Sequence, residues 1–331
     1  MRIYTSSLKI FFYLFFSSFF AFLLTLFPNE YFRDRENYVV YAIDSLNIMA
    51  RYDGIALLTN EPLFLLLNSI LSFFLKPDAV PLVFVFFIAF TVSYFVFVRS
   101  KNLLFLIFGF LAILLIPQSF HMLLIVLRQA FTASLLMWVA YFFWQSKWFL
   151  PLVFVLGFIH SSSFIVFAFF TIDKLFSVFI SKDINARVVF IIFISGLVSF
   201  MIMPLAEVLA LRQATEYDNA KSGGGGGNFI LYVILLITIL TQSKQRFAGD
   251  GIYVIGVLGI GIYLGMYFLS PFAGRLITTF IPFVICLICF FGNKRALLLA
   301  FFFVLVNAFV FKDAIENNSL TEQGVQYLIE R

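Results

Sequence analysis

The chain has 331 residues, of which 63% are hydrophobic and 12% charged, with a mean hydropathy of +1.04. A soluble domain carries about 25% charged residues, so this chain has too little polar material to cover a water-facing surface, and a soluble fold is excluded. The net charge of +5 comes without a basic run or an aromatic-interleaved patch, which argues against a nucleic-acid partner; a basic excess is what the inner loops of a membrane protein produce.

A bilayer crossing needs about 20 mostly apolar residues. The first such run, 8–27, starts like a signal sequence with Arg2 and Lys9, but no small-residue cleavage site ends it, and it reads as a retained first helix. Residues 28–60 are rich in ionisable and aromatic side chains: Asp34, Glu36, Asp44, Asp53 and then Glu61, beside Arg33, Arg35, Arg51 and tyrosines such as Tyr38. Carboxylates beside tyrosines suit sugar hydroxyls and general-base work; the plain alternative is a solvated acidic loop. The run 61–75 is short and opens on Glu61-Pro62, which fits either a crossing or a re-entrant helix.

Further crossings are expected at 80–98, 102–117 and 121–143. The last carries Arg128 deep in apolar surroundings, flanked by Gln129, with His121 seven residues earlier. On one continuous helix His121 and Arg128 point the same way. An ionisable group inside a span is expensive and is a functional candidate by default; the alternative is a structural arginine tied to a carboxylate. Runs 148–160 and 162–180 flank His160-Ser161-Ser162-Ser163, which reads as an outer turn, with His160 a base or a hydrogen-bonded structural group.

The run 188–211 contains Glu207 and ends at Arg212, and a glycine-rich tether follows at 212–227. Then come 228–242, 251–269, 275–291 and 296–311, and a polar tail, 312–331, whose NNS at 317–319 is a weak glycosylation match. Gly261 and Gly265 have the small-xxx-small spacing of close helix contact. Cys286 and Cys289 form a CxxC within hydrocarbon, where a redox pair lacks thiolate and water, so they read as packing. Arg275 opens a crossing from the outer side and Arg212 closes one; arginine suits bidentate contact with phosphate, so Arg128, Arg212 and Arg275 are candidates for one anionic ligand. Arg212 and Arg275 as plain interface anchors are the alternative.

Basic loop residues set orientation. If 61–75 does not cross, twelve of the 22 basic residues and three of the 17 acids fall inside, and each short inner loop holds at least one basic residue. The expected fold is therefore an all-α, polytopic membrane bundle of about 11 transmembrane helices plus a short re-entrant or interfacial helix. The whole of 1–331 reads as one integral membrane domain, with outer loops 28–79 and 212–227 and the tail outside. No zinc spacing, P-loop or nucleophile elbow is present, and no cofactor is expected.

Five stretches in order, DRENYVVY at 34–41, NEPLFLLLNSIL at 60–71, LRQAFTASLLMWVAY at 127–141, FIHSSSFIVF at 158–167 and GRLITTFIPF at 274–283, resemble the EpsG family of exopolysaccharide and capsule proteins, relatives of the Wzy-type O-antigen polymerases. The resemblance implies a GT-C-like glycosyltransferase that joins oligosaccharide repeat units carried on undecaprenyl diphosphate, at the outer face of the bacterial inner membrane. Its implied partners are those lipid-linked oligosaccharides and the bilayer, with flippase and chain-length regulator proteins as further candidates. The candidate residues, of which Asp44, His121, Glu207 and Arg212 lie outside those stretches, then divide into catalytic candidates (His160, Arg128, Asp44 and Asp34) and substrate-binding ones: Arg275, Arg212, His121, Gln129, Glu61, Arg35, Tyr38 and Glu207. A ligase sharing the donor chemistry, a transporter of the same lipid and a non-catalytic envelope subunit are the competing readings. A transporter predicts polar residues through the membrane depth.

Overall fold

In the computed structural model, every regular element among the described residues is helical. The structure describes residues 7–201, 226–242, 247 and 249–316. Fifteen α-helices follow one another within them. They are α1 (Ser7–Thr25), α2 (Arg35–Met49), α3 (Gly54–Thr59), α4 (Pro62–Ser72), α5 (Val80–Arg99), α6 (Leu103–Leu115), α7 (Pro117–Leu124) and α8 (Leu127–Phe143). After these come α9 (Phe149–Leu156), α10 (Ser162–Phe179), α11 (Ile184–Ser199), α12 (Gly227–Gln242), α13 (Gly251–Met266), α14 (Ala273–Phe290) and α15 (Lys294–Glu316).

The centre of the bundle is α13 against α14. Residues 251–264 of α13 and 276–290 of α14 are all buried. Glycines make this contact possible: a Cβ on Gly259 would lie 2.3 Å from the Phe280 ring, and one on Gly265 would lie 2.3 Å from the Ile192 carbonyl oxygen of α11. Gly261 meets its neighbours only at 3.5 Å or more, so the expected Gly261/Gly265 pair divides into one tight and one ordinary contact. The periphery is α1 and α15. Among the residues of α1 only Ser17, Ala21 and Leu24 are buried, while Phe11, Phe12, Phe15, Phe19 and Phe22 face outward. An exposed apolar face of this extent belongs in lipid.

The segment 28–79 leaves and returns at one place. Tyr13 of α1 stacks on Phe97 of α5 at 5.6 Å, whereas Asn29, just past α1, donates to the Asp78 carbonyl just before α5 at 2.7 Å. The two helices are therefore antiparallel neighbours, and α2, α3 and α4 form an excursion from one end. The 11 residues of α4 reach about 16 Å.

Three helix expectations are corrected. The run 121–143 is not one helix: Val126 leaves helical geometry at ψ 63°, which separates α7 from α8 and puts His121 and Arg128 on different helices. The α6–α7 pair bends by 70° at Ile116-Pro117, where the proline holds Ile116 extended. The run 148–160 yields only the eight-residue α9. Among the described residues, five helices are long and apolar enough to cross a bilayer, and the bent α6–α7 pair makes a sixth if taken as one span. The expected crossings served by α8, α9, α11, α12 and α13 have helices of 8 to 17 residues. Short helices are accommodated by burial against neighbours and by local thinning of the bilayer.

The loops sort to two ends. Arg99 pairs with Asp250, Gln145 donates to the Gly249 carbonyl, and Lys101 lies over the Phe290 ring, so the loops after α5, α8, α12 and α14 share one end. At the other end Arg35 reaches α7, Leu63 reaches Phe158, and Gln129 reaches α14.

Candidate functional site

Among the described residues, only Asp34 and Glu61 are non-glycine positions with left-handed backbone, at φ 69° and 63°. Each stands immediately before a helix, α2 and α4, and Pro62 keeps Glu61 out of right-handed helix. Strain of about 1–3 kcal/mol at such a residue persists where the surroundings over-determine it, and functional sites are its usual location. Both residues line a cavity of about 820 Å³ at the end of the bundle opposite the Arg99–Asp250 pair.

Glu61 is 5% exposed, and its two carboxylate oxygens serve different partners. Oε2 accepts from Arg128 Nη1 at the start of α8. Oε1 lies 2.6 Å from His160 Nδ1 and also accepts the Ser161 N–H at 3.4 Å. The chain folds this way because α4 is tied to the turn before α10 through its backbone, Leu63 N–H to the Phe158 carbonyl at 3.0 Å. Burial pushes the Glu61 carboxyl up, but the Arg128 guanidinium and the His160 ring outweigh it and hold the group at about 2. Glu61 is thus ionised at any physiological pH.

Arg128 is placed by three further contacts. Its backbone N–H, one of the orphan donors of the first turn of α8, finds the Tyr38 hydroxyl at 3.4 Å. Its guanidinium sits over the rings of Tyr41 and Phe64, at 5.3 and 6.0 Å. Beside it Gln129 donates to Thr279 Oγ1 at 2.9 Å and to the Arg275 carbonyl, joining α8 to the first turns of α14. Arg275, His121 and Arg33 complete the basic lining.

Eight of the sequence-predicted residues therefore line one cavity: Asp34, Tyr38, Glu61, His121, Arg128, Gln129, His160 and Arg275. The break at Val126 removes the shared helix face expected for His121 and Arg128, yet the fold brings both to the cavity. Two residues lie elsewhere. Arg35 is fully buried off the cavity, donating to the Leu124 carbonyl at 2.6 Å and to Asn29 Oδ1 at 2.8 Å, so it is a clamp and not a lining group. Asp44 is held by Asn47 and by Arg51 at 3.4 Å, outside the lining. Glu207 and Arg212 lie outside the described residues. Tyr41, Tyr52, Asn60, Gln118 and Thr278 also line the cavity. Neutral residues of this kind carry no composition signal, though Asn60 abuts the Glu-Pro pair.

No curated protein and no solved structure matches the chain. The family comparison does find a match: the model of the EpsG family, a group associated with polysaccharide polymerase-like proteins, covers residues 9–328, nearly the whole length, and the chain belongs to that family.

Proposed function

We propose that the chain is a polysaccharide polymerase. It transfers a growing glycan from undecaprenyl diphosphate to a hydroxyl of another lipid-linked repeat unit, at the outer leaflet of the bacterial inner membrane. Family membership makes it a membrane protein of polysaccharide biosynthesis. The observation that carries the finer reading is convergence: arginines from α8, α14 and the segment before α2 meet a buried carboxylate–histidine pair in one cavity.

Each part has a task in that reaction. Departure of the diphosphate places negative charge on its bridging oxygen, and preorganised cations in a dry site stabilise it most. Arg128 is preorganised by Glu61 and by the Tyr41 and Phe64 rings, and Arg275 by its place at the first turn of α14. The neutral lining groups (Asn60, Gln118, Tyr52 and Thr278) suit sugar hydroxyls. The basic loops at the opposite end support an outward-facing cavity. A transporter needs polar groups through the depth, whereas from Phe280 to Phe290 α14 carries only apolar residues and two cysteines.

The test is a deletion strain analysed for glycan length. Loss of the gene should leave single repeat units, and complementation should restore the ladder. Arg128→Ala and Arg275→Ala, inserted at wild-type level, should lower polymer formation by on the order of 10²–10³-fold, the cost of removing one preorganised charge-stabilising group. A normal ladder in the deletion strain, or from both variants, overturns the reading.

A further inference from the structure

We infer, on the polymerase reading above, that Gln129 is a positioning residue and not a ligand contact: it pins the first turn of α14 to α8, so that Arg275 and Arg128 grip one diphosphate together.

Gln129 lines the cavity and is 6% exposed. A side-chain amide offers two N–H donors and one acceptor oxygen. Both donors of Gln129 are committed to α14, one to the Arg275 carbonyl and one to Thr279 Oγ1 at 2.9 Å. A carbonyl only accepts, so the amide nitrogen, and not its oxygen, faces Arg275. What remains is Oε1, an acceptor, and an ionised diphosphate presents acceptors as well. Neither end of the amide is thus suited to the diphosphate, and a contribution of Gln129 to its affinity passes through α14.

The start of α14 needs such a tie. The chain enters it through Ser270-Pro271, and a proline has no N–H to donate. Gly274, just before Arg275, stands in open space: a Cβ there would meet nothing within 4 Å among the described residues. The Phe272 and Ala273 N–H groups bond back to Ser270, each at 3.2 Å, which ties the turn to itself and not to another helix. Arg275 and Thr279 are about one turn apart, so the Gln129 amide clamps one face of that turn from outside.

On α8 the neighbour of Gln129 is Arg128. Successive helical residues point about 100° apart, so these two serve two elements: Arg128 pairs with Glu61 before α4, and Gln129 holds α14. The two arginines are therefore linked through a single peptide unit and one amide. A Gln129 truncation leaves both charges present but lets their separation vary, and ordering them on the ligand then lowers affinity.

A double-mutant cycle on the full-length protein in detergent tests this, with affinity for undecaprenyl diphosphate alone as the readout and thermal unfolding in parallel. The ligand carries no sugar, so a hydroxyl donating to Oε1 does not enter the measurement. Arg275→Ala should weaken binding by about 10–10²-fold, the worth of a hydrogen bond to a charged group. Gln129→Ala should weaken it by on the order of 10-fold, the ordering cost of one long side chain. The double variant should match Arg275→Ala within about 2-fold, the accuracy to which independent changes add, because Gln129 then has no guanidinium left to position. A double variant weaker than Arg275→Ala by the full Gln129 factor overturns the inference, since neither a separate contact nor a merely structural role depends on the Arg275 guanidinium. Wild-type affinity in either single variant overturns it too. If Gln129→Ala fails to insert, Gln129→Met, of similar volume and without the N–H donors, takes its place in the cycle. A wild-type protein that does not bind undecaprenyl diphosphate overturns the polymerase reading itself, and the inference with it.

Discussion

Arg35 lies between Asp34 and Glu36 in sequence, and both neighbours are exposed while Arg35 is wholly buried. Its guanidinium ties the Leu124 carbonyl at the end of α7 to the Asn29 side chain, with Phe32 at 5.2 Å beneath it. Arg35→Ala deletes both bonds and strands two acceptors, at about 2–4 kcal/mol. The expected outcome is a lowered thermal midpoint in detergent, with undecaprenyl diphosphate affinity unchanged in the folded fraction; equal affinity loss would return Arg35 to the binding site. This residue shows where sequence reading stops. Arg128 and His160 stood out because an ionisable group within apolar residues is costly wherever the chain goes. A charged residue in a polar segment costs nothing until tertiary structure buries it, so Arg35 and Asp44 look alike in the sequence and differ only in the fold.

At the level of elements, the apolar runs locate helices well and locate their breaks poorly. Pro117 signals the 70° bend before α7, but Ile125 and Val126 carry no turn residue, and that break is held by tertiary partners: Arg35 on the Leu124 carbonyl and Tyr38 on the Arg128 N–H. Glycine spacing is informative in the same partial way. The pattern Gly261-xxx-Gly265 finds the right helix, yet α11 approaches closely only at Gly265, where an added Cβ would meet Ser195 Oγ at 2.0 Å. Gly265→Ala should therefore destabilise by about 1–3 kcal/mol through overpacking. Gly261→Ala meets only ordinary contacts and should be neutral or gain up to about 1 kcal/mol from helix propensity. Thermal unfolding in one detergent compares the pair, and a larger loss at Gly261 would contradict the packing.

For the whole molecule, the loops that carry Arg99, Lys101 and Lys147 lie at one end of the bundle and the cavity at the other, and the loop charges predict that the cavity end faces outward. Glu30 is exposed at the cavity end and Lys147 at the other. In spheroplasts, Glu30→Cys should react with a membrane-impermeant maleimide, and Lys147→Cys should react only after permeabilisation. Native Cys286 and Cys289 are buried and should stay silent. The reverse labelling pattern would invert the molecule and its proposed reaction. The register of Glu61 with Arg128 and His160 was not legible, because 67 and 99 positions separate the partners and only the folded excursion closes that distance. That excursion has a modular consequence. Since 28–79 starts and finishes at the Asn29–Asp78 tie, its length and tip can diverge without shifting any later helix. Tyr41, Tyr52 and Asn60 can thus change together as a cassette, while Arg128, supplied by α8 from outside the excursion, keeps its place in the cavity.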